Sequence, residues 1–121
     1  MEFEDRMREF ILSFLDTQPN HVDLKTVQKL IDYGKNNKYT APMLLTQLNQ
    51  MDDAHEKILT VTFDVDFIDG VKLFNNHATK WLTDKGKAYI QELKRAQSKA
   101  ETIDFPKDDT QTESTEFDGY L

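Results

Sequence analysis

Apolar residues recur in the first stretch of the chain at Phe3, Met7, Phe10, Ile11, Phe14 and Leu15. Steps of three and four put them on one face of an amphipathic helix. Thr17-Gln18-Pro19-Asn20 ends it, because a proline drives the residue before it out of the helical region. Asp23 is the expected N-cap of a second helix with Leu24, Val27, Leu30 and Ile31 on one side. Gly34 is its expected stop, in the left-handed conformation that closes many helices. Lys35-Asn36-Asn37-Lys38-Tyr39 then forms a polar connector. Thr40 caps a short third helix, with Pro42 in its first turn, where an N–H has no helical partner anyway. Leu44, Leu45, Leu48 and Met51 are its buried stripe.

From Ile58 the period changes to two. Leu59, Val61, Phe63, Val65 and Phe67 share one side, with Thr60, Thr62, Asp64 and Asp66 between them. The β-branched and aromatic content favours a strand. Two turns compete to close a hairpin. Asp69-Gly70 is preferred over Asn75-Asn76 because glycine takes a positive φ without strain, and the second strand would run from Val71 to near Trp81. Thr83 caps a fourth helix with Leu82, Tyr89, Ile90, Leu93 and Ala96 as its apolar face. Gly86 lies on that face, where the absence of a side chain permits close packing.

The expected fold is mainly α with a small β hairpin, an α+β domain in the order helix, helix, helix, hairpin, helix over residues 1–98. Residues 99–121 are expected to form an acidic disordered tail, since Thr, Ser, Asp, Glu and Gln dominate there and the periodicity fades. The net charge of −7 is concentrated in that tail. Between residues 101 and 121 seven acids face Lys107 alone, which leaves the first hundred residues near neutral. The chain has no cysteine, and so no disulfide or thiolate metal site. It begins with acidic residues rather than a signal peptide and has no apolar run of about 20 residues, so a cytoplasmic protein with no membrane segment is expected.

The stretch Trp81-Leu82-Thr83-Asp84-Lys85-Gly86-Lys87-Ala88-Tyr89-Ile90 resembles the lead-in to the last helix of many bacterial winged helix-turn-helix proteins. Within that superfamily the chain is similar to the YjcQ-like, phage-associated proteins of Gram-positive bacteria. The resemblance implies a small DNA-binding protein, a transcriptional regulator of phage or mobile-element type, with the third helix in the major groove of double-stranded DNA. Outward positions Ala41, Met43, Thr46, Gln47 and Gln50 would then face bases. Thr40, at the helix start, and Lys25, Lys29, Lys35 and Lys38 would meet the backbone, the lysines supplying most of the affinity. A domain this small would be expected to act as a homodimer.

Two features depart from that pattern. The third helix holds neither Arg nor Lys, and Asp64, Asp66 and Asp69 sit near the hairpin tip, where DNA-binding wings present basic residues. The alternative is a winged-helix protein-interaction module without DNA binding. The charge on the third helix discriminates the two: a positive face favours DNA, a neutral or apolar one favours protein.

No chemistry of catalysis stands out. His21, His55 and His77 are dispersed, no glycine-rich phosphate loop occurs, and the chain reads as a non-enzyme without a cofactor. Asp64 to Gly70 misses the spacing of a calcium loop, since position 12 is Asn75. Asp52-Asp53-Ala54-His55-Glu56 lacks a second cluster of metal ligands and is expected to be a solvated helix end. In the tail, Phe105, Phe117, Tyr120 and Leu121 stand among acids, a composition of short partner-binding segments.

Overall fold

A computed structural model of the chain describes residues 2–66 and 68–104, with residues 97–104 by backbone alone. Four helices and one hairpin follow in order: α1 (Phe3–Asp16), α2 (Leu24–Lys35), α3 (Ala41–Met51), β1 (Thr62–Asp66), β2 (Gly70–Phe74) and α4 (Asp84–Asp104). The domain is α+β and mainly helical.

Side-chain caps set three helix starts. Asp23 accepts from the Thr26 N–H at 2.9 Å, Thr40 Oγ1 from Met43 N–H at 3.3 Å, and Thr83 Oγ1 from Gly86 N–H at 3.0 Å. Each satisfies a first-turn donor that the helix itself cannot. The apolar stripes of α1, α2 and α3 converge on one core, in which Ile11, Leu12, Leu15, Leu30, Leu44, Leu48 and Met51 are fully buried, whereas Phe3 and Leu24, at the first turns of α1 and α2, are exposed rather than part of it. Such side chains each contribute roughly 1.5–3 kcal/mol. Ile90 and Leu93 of α4 close this core against α1.

Gly34 does not stop α2. The helix continues to Lys35, and the left-handed conformation falls on Lys38, at φ 67°. A Cβ at Gly34 would lie 2.5 Å from Leu44 Cδ1, so glycine serves the approach of α2 to α3. Tyr39 and Asn37 both donate their N–H to Gly34 O at 2.9 Å, folding the connector tightly. Gly86 packs as expected, against the backbone carbonyl of Ile58.

The chain turns near both competing sites, but neither is a two-residue hairpin turn. β1 and β2 pair antiparallel with Asp66 opposite Gly70, so the connection is the three-residue segment 67–69 rather than a two-residue Asp69-Gly70 turn. Asp66 Oδ1 accepts from the N–H groups of Ile68 (2.8 Å) and Asp69 (3.1 Å), and Gly70 takes φ 107°. β2 then ends at Phe74, not near Trp81. Asn75 turns the chain, accepting from His77 N–H and donating to Val22 O, with Asn76 and His77 at positive φ. Trp81 to Thr83 thereby return beside residues 58–60 through a Leu59–Leu82 bridge. Trp81 is buried and donates to His21 O at 3.2 Å.

α4 passes residue 98 and continues to Asp104. Ala96 is exposed rather than part of its apolar face. Phe67 and the tail residues Phe105, Phe117, Tyr120 and Leu121 lie outside the described residues. Among the described residues no helix is long and apolar enough to cross a membrane.

Candidate functional site

The α2–connector–α3 unit carries the expected site residues. Lys25, Lys29, Lys35 and Lys38 are exposed, and Lys35 lies 3.8 Å from Asp32. Thr40 is exposed but its hydroxyl is engaged as the α3 cap, while the Thr40 N–H points to Met43 Sδ at 3.5 Å. Ala41 and Met43 are half-buried and Thr46 is exposed.

The two glutamines are not free to read a surface. Gln47 is buried, against the expectation of an outward position: Arg8 Nε donates to its Oε1 at 2.6 Å, and its amide donates to Glu4 at 3.2 Å. Gln50 is exposed, yet its Oε1 accepts from Arg8 Nη2 at 3.2 Å. The outward surface of α3 is therefore neutral, made of Pro42, Met43 and Thr46 with the two glutamines turned to α1.

Arg8 organises this face. It lies on the buried side of α1, where a charge is costly unless fully partnered. Its five N–H donors meet five acceptors: Gln47, Gln50, the Tyr89 hydroxyl at 3.2 Å and both oxygens of Glu56 at 2.9 and 2.7 Å. The hydrogen bonds that it donates to Glu56 hold the guanidinium charged well above its ordinary range. Reciprocally, Arg8 holds the Glu56 carboxyl below its ordinary value.

Asp52 corrects another expectation. In the segment 52–56, Asp53, Ala54 and His55 are exposed as expected of a solvated helix end, but Asp52 is completely buried. Its Oδ2 accepts from Phe63 N–H at 2.9 Å and Asn49 Nδ2 at 3.2 Å; its Oδ1 accepts from Ala54 N–H at 3.0 Å and lies 2.7 Å from His55 Nδ1. This carboxylate ties the end of α3 to the start of β1. Among the described residues no group of three or more His, Asp and Glu side chains could hold a metal ion.

A groove of about 510 Å³ opens on the opposite flank of α1, between it and the C-terminal end of α2. Phe10 stacks on Tyr33 with ring centroids 5.3 Å apart, and meets Tyr39 at 5.1 Å. Phe14 lies 5.7 Å from Tyr33, and Phe3 lies 5.6 Å from Tyr39. Arg6, Ser13, Thr17 and Asn37 supply its polar wall, and Glu9 accepts from the Ser13 hydroxyl at 2.9 Å. Tyr33 and Phe3 remain about half exposed, at 51% and 56%.

The sequence pattern had assigned Phe3, Phe10 and Phe14 to the core face. It carried one signal of the groove: these residues widen the α1 stripe beyond what a helix against a single core requires. Arg8 and Asp52 had no such signal, since Arg8 meets hydrogen-bond partners 39 to 81 residues away and Asp52 is buried by a strand eleven residues on.

No family model, curated protein or solved structure matches the chain.

Proposed function

We propose that the chain is a non-enzymatic protein-interaction module built on a winged-helix plan. The order of elements and the α2–connector–α3 geometry support the winged-helix assignment. The single observation that favours a protein partner is the neutral α3 surface, on which both glutamines are committed to the Arg8 network. A helix that reads bases needs free hydrogen-bonding side chains and nearby cations. The hairpin adds further negative charge: Asp66 is held below its ordinary value by the backbone N–H groups of Ile68 and Asp69, and so stays ionised.

Double-stranded DNA binding is favoured by one observation, the four exposed lysines of α2 and its connector. A fluorescence-anisotropy titration with a random-sequence duplex decides between the two. The expected result is binding weaker than the non-specific range of DNA-binding proteins, about 10⁻⁴ to 10⁻⁶ M at physiological salt. Tighter, salt-dependent binding that is lost on Lys25→Ala/Lys29→Ala substitution would overturn the proposal in favour of a DNA-binding regulator.

A further inference from the structure

The groove between α1 and α2 is lined by four aromatic side chains that pack on the core or on one another and yet stay partly exposed. Its floor is Phe10, Phe14, Tyr33 and Tyr39, and Arg6 stands on its wall. Lys29 lies one helical turn before Tyr33 on the same flank of α2, and Lys38 sits between the lining residues Asn37 and Tyr39. Arg6 is thus the cation in the lining itself, with the exposed Lys29 and Lys38 on the chain next to lining residues. Glu9 is the acid in the lining, and it is hydrogen-bonded to Ser13.

The same chain supplies a segment of matching chemistry. Glu116-Phe117-Asp118-Gly119-Tyr120-Leu121 places two aromatic side chains and a leucine among acids. We infer that this segment docks in the aromatic groove of its own chain, with Phe117 and Tyr120 against the Phe10–Tyr33 floor and the flanking acids toward Arg6, Lys29 and Lys38.

Reach and charge both support this occupant. α4 begins beside the C-terminal end of α1, where Lys87 meets Asp16 at 3.2 Å, and heads toward the half of α1 that carries Arg8. Twelve residues separate Asp104 from Glu116, a length of chain that reaches at most roughly 40 Å, against a domain radius of gyration of about 13 Å. Tethering supplies a local concentration on the order of 1 mM, so a segment with only about 0.1 mM affinity stays docked roughly nine-tenths of the time. The same docking holds whether α3 meets protein or DNA, so this inference stands apart from the proposed function.

The full chain tests it directly. Because it has no cysteine, a nitroxide on Ser114→Cys is a single clean probe. Paramagnetic relaxation in the intact ¹⁵N-labelled protein is expected to remove most of the amide signal of Arg6, Phe10, Phe14 and Tyr33 and to spare Lys72 and Phe74 of the hairpin. Adding Phe117→Ser/Tyr120→Ser should weaken docking by at least about a hundredfold, taking the docked fraction to under about a tenth and restoring those signals. Uniform broadening, no broadening, or broadening that survives the double substitution each overturns the inference. Broadening seen instead between a labelled and an unlabelled chain would assign the groove to a second copy and overturn the intramolecular arrangement.

Discussion

Arg8 and Glu56 form a two-pronged ion pair across 48 residues of chain, with Nη1 2.9 Å from Oε1 and Nη2 2.7 Å from Oε2. The planar guanidinium fork matches a carboxylate in this geometry, which a lysine ammonium cannot reproduce. Through it α1 is fixed to the segment that joins α3 to β1, and the remaining donors reach α3 and α4.

Arg8→Ala should cost about 3 kcal/mol, the lower end of the range for breaking a buried pair, since Glu56 is partly solvated and Gln47 is left buried without its donor. For a domain of this size that lowers Tm by about 12 °C or more. Arg8→Lys should recover only part of the loss. Urea denaturation of the three proteins gives the numbers; a loss under about 1 kcal/mol for Arg8→Ala would show that the network is not structural.

Acid should act on the same pair. Arg8 depresses the Glu56 carboxyl below its ordinary value of 4.5 in the folded protein. A depressed folded pKa contributes stability above the unfolded pKa, lost as pH falls through the folded one. Asp23 works in the same sense, held down first by the Thr26 N–H. The urea midpoint should therefore stay level above about pH 5 and fall below it. Glu56→Gln should be less stable near neutral pH and lose less on acidification, measured as midpoint against pH.

Asp52→Ala should destabilise the domain by about 2–3 kcal/mol, because the buried N–H of Phe63 loses its acceptor and the part-buried donors of Ala54 and Asn49 lose theirs. Asn is a poor replacement: its amide NH2 would face donors on one side. Amide hydrogen exchange at Phe63 should accelerate in both variants, beyond what global destabilisation produces. Unchanged exchange there would mean that Asp52 is not what anchors β1 to α3.

The two helical glycines should differ. Alanine in a helix interior is normally favoured over glycine by about 1 kcal/mol. At Gly34 a Cβ meets the end of the Leu44 side chain, which can yield, so Gly34→Ala should cost only about 1 kcal/mol. At Gly86 it meets the backbone carbonyl of Ile58, which also accepts from Thr83 N–H at 3.0 Å. Gly86→Ala should cost about 3 kcal/mol, and denaturation midpoints that rank the two the other way would contradict the packing described.

What the sequence by itself determined is local. Helix starts at Asp23, Thr40 and Thr83, most of the stripes of α1 to α3, the presence of a strand in the stretch that begins at Ile58 and the close packing of Gly86 follow from periodicity and from caps that act within four residues, whereas the strand starts only at Thr62. Those signals are carried by neighbours in the chain. The tertiary structure decided what depends on distant partners. The same apolar stripe of α1 splits into a core side and an aromatic groove only because α3 and α4 pack over one part of it while Tyr33 and Tyr39 flank the other. Gln47, outward by helical phase alone, turns inward because Arg8 offers it a buried partner, and Asp52 is buried because Phe63 N–H arrives from a strand eleven residues on. Gly34 likewise answers to Leu44 on the next helix, while the left-handed turn passes to Lys38. A helical pattern records which residues face away from water, but a buried charge is stable only where all its hydrogen-bonding capacity is met, and that is settled by packing.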